Sequence, residues 1–368
     1  MNEYLQGKNL TVGYGKTIVL EGVDFTVSKG EIMTLVGPNG CGKSTLLKSI
    51  TGQLKAMSGS VLYEDMELSH LDAKTLSKKL ALVLTQRIHP ERYSCFDVVA
   101  TGRYPYTGPF GWLSDEDKEM IRQSMEAVHV WDLRMQPFEQ ISDGQRQRVM
   151  LARAICQQPE VLVLDEPTSY LDIRYKMEFL WLLRKLAQDK KIAVVAALHE
   201  IDLAAKISDT MICIKNQRVD RMGAPEEILD SSYVEKLYEI TDGHFNSLYG
   251  SAEFPRVTGK PQVFVIGGGG TGVSLYRKLQ KQGIAFAAGI LQANDLEYPI
   301  ARELASELIS VNAYSLPTQE EMQSAKALIE QVEQVICTLP EFSYCNSYNQ
   351  ELLEYGKKLN KISVYYEK

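Results

Sequence analysis

The stretch Glu31-Ile-Met-Thr-Leu-Val-Gly37-Pro-Asn-Gly-Cys-Gly-Lys43-Ser-Thr45 decides how this chain folds. Glu31 to Val36 is an apolar run of strand length, and a glycine-rich loop and a helix follow it. The loop matches GxxxxGK[ST] and lies between strand and helix, the setting in which that pattern binds phosphate. Gly37, Pro38, Asn39, Gly40, Cys41 and Gly42 supply a loop whose N–H groups curl around phosphate oxygens, and the helix N-terminus adds its dipole. Lys43 reaches the outer phosphates, Ser44 can ligate Mg²⁺, and Thr45 completes the motif.

Working outward, Val161-Leu-Val-Leu-Asp165-Glu166-Pro167 places two adjacent carboxylates at the end of a strand apolar on both faces. Asp165 is suited to hold Mg²⁺ or its water, and Glu166 to polarise a water attacking a terminal phosphate. Ile192 to Leu198 repeats the buried-strand character, and strand then alternates with helix, so the class is α/β with a parallel sheet. From Phe96 to Cys156 the periodicity is charged and helical, which predicts a helical insert; Glu116 to His129 is its clearest amphipathic segment, with Ser114 as N-cap. Asn9 to Val27 reads as short β-runs punctuated by Gly13, Gly15 and Gly22.

Between the two phosphate-site motifs lies Ile141-Ser-Asp-Gly-Gln145, followed by the helical run Arg146 to Cys156. This segment resembles the signature of the ATP-binding-cassette (ABC) family, and the resemblance spans nearly all of residues 1–257. It implies a P-loop NTPase fold of ABC type with a helical subdomain, and an ATPase that uses ATP and Mg²⁺. Ser142, Gly144 and Gln145 would contact the γ-phosphate held by a second copy of the chain, so a homodimer is implied. Tyr14 matches the residue that stacks on adenine, and Gln86 the glutamine that senses Mg²⁺ and the attacking water. Ser169-Tyr-Leu-Asp172 matches the loop bridging the subunits, and His199 the switch histidine. Asp143 departs from the commonest signature, which has glycine there. It is expected to cap the following helix with its carboxylate directed off the nucleotide.

Val99-Ala-Thr-Gly-Arg-Tyr-Pro-Tyr106 and Thr168-Ser-Tyr-Leu-Asp-Ile-Arg174 look like the ATPases of importers for iron-siderophore complexes, haem and cobalamin. By that resemblance Gly102 to Tyr106 is a coupling surface for an integral membrane permease; a helix terminus packed on its own domain is the alternative. An extracytoplasmic substrate-binding protein completes the implied assembly, which places the chain in the cytoplasm, on the inner face of the membrane through the permease. A non-transport ATPase of the same fold is the rival class.

The 368 residues are enough for two domains, expected at 1–257 and 258–368, because Thr241 to Pro261 is rich in Gly, Ser, Pro and Asn. A formal net charge of -7 and the lack of a Lys/Arg run argue against nucleic acid as a partner. Six cysteines without a CxxC pair suit a reducing compartment, and no apolar stretch has the length of a membrane span. In the second, Rossmann-like α/β domain, Gln262–Ile266, Ile284–Ile290, Glu307–Val311, Gln334–Cys337 and Lys361–Tyr365 are candidate strands, and Thr318 to Gln331 a helix. Gly267-Gly-Gly-Gly-Thr-Gly272 contains GxGxxG after a strand and before a helix, and Asp295 is the candidate fingerprint acid. A dinucleotide, another small ligand, or tight strand-to-helix packing without one are all open. A regulatory sensor is favoured over an enzyme acting on imported cargo.

Overall fold

The computed structural model describes residues 3–84, 92–108, 110–246 and 249–363. The chain forms two compact units, Met1–Leu229 and Asp230–Lys368. The division falls ahead of the composition break at 257, because the helix Ser231–Tyr238 and the hairpin of His244–Asn246 with Ser251–Glu253 belong to the second unit. His244 therefore joins the second unit.

The first unit has two sheets. One runs in the order Arg218–Gly223, Thr210–Lys215, Ile32–Val36, Ala193–Ala197, Val161–Asp165, Leu80–Val83. All its neighbours are parallel except the antiparallel edge hairpin of Thr210–Lys215 with Arg218–Gly223. Its central strands are buried along their length, which is why they read as unbroken apolar runs. The other sheet is antiparallel and four-stranded. Where short strands are expected between Asn9 and Val27, two twelve-residue strands, Glu3–Tyr14 and Thr17–Ser28, pair instead. Register shifts along this pair absorb the irregular pattern that the glycines create.

The helix Lys43–Ile50 is the pivot of this unit. Leu46, Leu47 and Ile50 enter a core shared with Leu20 and Val23 of one sheet and Leu35 and Val163 of the other. Each such buried side chain contributes roughly 2 kcal/mol, so the phosphate-binding loop is anchored at its C-terminal end by packing. The helical insert comprises Cys95–Ala100, Asp115–Ala127 and Asp143–Cys156. Ser114 caps the second of these in a full capping box with Asp117, as its sequence suggests.

In the second unit five parallel strands run in the order Glu307–Val311, Phe286–Gln292, Val263–Ile266, Gln334–Cys337, Ile362–Ser363. Strands lie at all five expected places, the last described only as Ile362–Ser363 because residues 364 and 365 of that expectation lie outside the described residues, and the helix is observed at Gln319–Gln331. Separate apolar clusters cover the two faces of the sheet, one centred on Tyr276 and Phe286, the other on Phe264 and Ile329.

Candidate functional site

The phosphate-binding loop leaves the strand Ile32–Val36 and enters the helix Lys43–Ile50. Gly37 sits at φ 147°, and a Cβ there would lie 2.3 Å from the Ile214 carbonyl oxygen, so only glycine lets the loop turn beside that strand. Lys43 is 5% exposed, and its Nζ donates to the Gly37 and Pro38 carbonyls at 2.7 and 3.1 Å. The ammonium is thus held at the centre of the loop that Gly37, Pro38, Asn39, Gly40, Cys41 and Gly42 describe. Thr45 is buried in the first turn behind it.

Ser44 Oγ donates to Asp165 Oδ1 at 3.0 Å. Burial pushes the Asp165 carboxyl above its ordinary range; the Ser44 hydroxyl opposes this and the neighbouring Glu166 charge adds to it. A hydroxyl beside a carboxylate disfavoured by burial is an oxygen pair that suits a hard divalent cation, and Mg²⁺ fits it. Gln86, the third expected metal-site residue, lies outside the described residues.

Glu166 follows at φ 50°, in the left-handed region. Its N–H donates to the Ala197 carbonyl at 3.1 Å, which ties the carboxylate's backbone to the neighbouring strand Ala193–Ala197. His199 leaves that same strand end, and its Nε2 lies 2.6 Å from Glu166 Oε1. The imidazole nitrogen facing the carboxylate carries the proton, so His199 orients Glu166 from the side. Ser169 Oγ reaches Glu166 Oε2 at 3.4 Å. Thr168 and Lys176 hold Glu200, next to His199 in the chain. Tyr14, half exposed, closes the strand Glu3–Tyr14.

The structure joins Lys43, Ser44, Asp165, Glu166 and His199 through the loop and two strand ends. Ser142, Gly144 and Gln145 stand apart, at the N-terminus of the helix Asp143–Cys156. Ser142 is the N-cap: its Oγ accepts from Gln145 N–H at 3.3 Å, and Gln145 Oε1 accepts from Ser142 N–H at 2.9 Å. Gly144 is buried against the Tyr175 ring. Asp143 is not the cap, because Ser142 already occupies that position. It is the first helical residue, and its Oδ1 accepts from Arg146 Nη1 at 3.0 Å. The i,i+3 spacing makes that pair, and Arg146 is itself held by the carbonyls of Phe138 and Glu139.

The segment Gly102–Tyr106 is divided. Arg103 is buried and pairs with Asp117 at 2.8 Å, donates to the Cys156 carbonyl, and stacks on Tyr106. Burial pushes Asp117 up, but Arg103 and Ser114 outweigh it and hold the carboxyl below its usual range. These side chains pack on their own subdomain, whereas Tyr104 is 60% exposed. It lines a cleft of about 660 Å³ together with Leu76, Leu80, Leu82, Leu84 and Met150. That apolar lining comes from residues far apart in sequence, and only the fold gathers it.

In the second unit the glycine loop is occupied by the chain itself. Glu297 is fully buried; it accepts from Gly268 N–H at 2.9 Å, Gly272 N–H at 2.5 Å, Thr271 Oγ1 at 3.2 Å and Tyr276 OH at 2.7 Å. A Cβ on Gly272 would lie 2.6 Å from Glu297 Oε2, so the last glycine of the motif makes room for this carboxylate. Asp295 does reach the loop, accepting from Gly269 N–H at 3.0 Å. The N–H groups that a pyrophosphate would need are donated to two acidic side chains, which also repel phosphate. In sequence Glu297 is an acidic candidate without a partner, and only the fold supplies its partners.

The family model described as ABC transporter matches residues 20–169, and a second, described as MJ0874 family, matches residues 286–368. An uncharacterized ABC transporter ATP-binding protein of Methanocaldococcus jannaschii is 45% identical over 278 residues, 75% of this chain and 96% of its own length. A cobalamin import ATP-binding protein of Halobacterium salinarum is 30% identical over 313 residues, 83% of this chain and 78% of its own length. Further relatives are named for petrobactin import, for siderophore transport and for iron(3+)-hydroxamate import. Among solved structures, the dimeric structure of a bacterial ABC transporter cassette superposes with a TM-score of 0.53 at 28% identity, covering 60% of this chain and 98% of that one. With its phosphate loop, paired carboxylates and signature helix in place, this chain belongs to the ATP-binding-cassette family of transporter ATPases.

Proposed function

We propose that the chain drives import across a membrane as one half of a two-copy ATPase. The observation that carries this is a divided site: Lys43, Ser44, Asp165, Glu166 and His199 form one cluster, while Ser142, Gly144 and Gln145 sit on a separate helix end. A second copy supplies its signature helix to the first copy's ATP, and the N–H groups at that helix end bind the γ-phosphate. Ser44 and Asp165, with Gln86, would hold Mg²⁺, which neutralises charge on the phosphates when bound. Lys43 steadies the outer phosphates, and Glu166, oriented by His199, polarises the attacking water. A permease subunit docks in the cleft beside Tyr104, and an extracytoplasmic binding protein delivers cargo to the permease. This places the chain on the cytoplasmic face, and no helix among the described residues is long and apolar enough to cross a membrane.

The cargo favoured is a corrinoid, since the relative named for cobalamin import matches 83% of this chain, more than the first unit comprises. An iron-siderophore is the second reading, supported by the relatives named for siderophores. The test is Glu166→Gln in the full chain. With Mg-ATP it should dimerise on gel filtration and lose hydrolysis by a factor of about 10² to 10⁴; a variant that stays monomeric with ATP bound rules out the two-copy site. Co-purification with a permease and uptake of labelled cobalamin into proteoliposomes test the rest.

A further inference from the structure

The second unit contains a cavity of about 530 Å³ bounded by the helix Ser231–Tyr238, the hairpin strand His244–Asn246 and the helix Tyr298–Leu304. His244 stands on its wall between two carboxylates: Nδ1 lies 3.1 Å from Glu303 Oε2 and 3.4 Å from Glu235 Oε1. Both acids are themselves fixed, Glu235 by the Phe245 N–H at 2.9 Å and Glu303 by Arg302 Nε at 3.1 Å. In the neutral ring the nitrogen facing the carboxylates keeps the proton, and Nε2 carries the lone pair. Histidines that ligate metals have this arrangement, the far nitrogen anchored to a carboxylate and the near one made more basic by it. A single imidazole supplies one ligand, which suits a metal whose other positions its own chelator fills. The cavity volume falls within the range of small-molecule sites.

We propose that this cavity binds a transition-metal complex with an exchangeable axial position, and that His244 Nε2 is the incoming ligand. The lone pair of Nε2 forms the bond, the axial water leaves, and no electron is transferred. Glu235 and Glu303 position the ring without touching the metal. The choice of ligand class rests on the import reading, and the site would let the second unit sense internalised cargo.

The test titrates the full-length chain with aquacobalamin and, separately, with ferric haemin, following the absorption bands that move when imidazole becomes an axial ligand. A one-to-one shift is expected with at least one probe. It should disappear in both His244→Ala and His244→Gln, and survive in Glu303→Gln with affinity weakened about fivefold. A coordinatively saturated ferric trihydroxamate should give no shift. Of the five histidines in the chain only His244 should matter, so an undiminished shift in its variants, or none with either probe, overturns the proposal. Hydrogen exchange across residues 231–246 shows whether the variants keep the hairpin. Hydrolysis of Mg-ATP and permease co-purification on the same preparation separate the two ideas: if both persist without a shift, the cavity site fails and the import reading stands.

Discussion

Replacing Glu297 by alanine should loosen the second unit and leave the first unchanged. Four donors converge on this carboxylate, from Gly268, Gly272, Thr271 and Tyr276. Thr271 Oγ1 has other partners, the Gly268 carbonyl at 3.0 Å and Thr338 Oγ1 at 2.9 Å, so three donors lose their only acceptor among the described residues. An orphaned buried donor costs about 1–3 kcal/mol, and water entering the space left by the side chain recovers part of that. A net loss of about 3 kcal/mol follows, equivalent to roughly a hundredfold faster opening. Glu297→Gln keeps an acceptor for the two backbone N–H groups and gives up only charge assistance, so about 1 kcal/mol is expected. The assay is native-state hydrogen exchange, read at peptides covering 268–276, with peptides around the helix Lys43–Ile50 as the internal reference. All three tryptophans, Trp112, Trp131 and Trp181, belong to the first unit, so fluorescence would miss the effect. Exchange within threefold of the wild type in Glu297→Ala, or equal acceleration in both units, would refute the account of the loop as self-liganded. A nicotinamide dinucleotide should give no protection at these amides.

Loosening Asp143 should slow the ATPase. Arg146→Ala removes one partner of Asp143 and loosens a carboxylate at the helix end proposed to receive the γ-phosphate, a penalty of about 1 kcal/mol, or about fivefold in kcat/KM; adding Asp143→Gly should restore the rate, and steady-state kinetics of the double variant decide it. In the first unit, burial pushes the Glu160 carboxyl up, but Lys29, Tyr4 and Lys79 hold it down to about 2. A carboxyl depressed in the folded state stabilises above its unfolded value, and that contribution is lost as pH falls through the folded one. Urea titrations between roughly pH 5 and 2 should therefore show a smaller loss of stability in Glu160→Gln than in the wild type, by about 1 kcal/mol once solvent screening of this part-exposed group is allowed for. Equal slopes would remove Glu160 from the acid response.

What could be read in advance was local. Gly37 to Thr45 lies in one stretch, and its strand and helix are its immediate neighbours, so spacing alone places it. Asp165 and His199 were legible because each ends an apolar run that can only be a buried strand. The cap is harder to read, because the capping preference of Asp143 competes with that of Ser142, and the serine, one residue earlier, has the Gln145 that completes a capping box. Glu297 stands out in sequence only as an acid without a partner, because its partners lie 21 to 29 residues away, and GxGxxG reads alike whether its amides face a phosphate or a carboxylate. The boundary moved for a similar cause. Gly, Ser and Pro mark Thr241 to Pro261 as a linker, yet the short strands inside it pair with each other and form part of the second unit.

The left-handed backbone at Glu166 has a consequence for anyone selecting tougher versions of this protein. Holding a residue with a Cβ at φ 50° costs on the order of 1–2 kcal/mol, a cost that glycine escapes. A screen that rewards heat resistance alone favours glycine at position 166, and if Glu166 polarises the attacking water as proposed, such clones lose turnover by at least the factor expected of Glu166→Gln. On the proposed role, durability and work are opposed at this one residue, and only a selection that demands turnover keeps the glutamate.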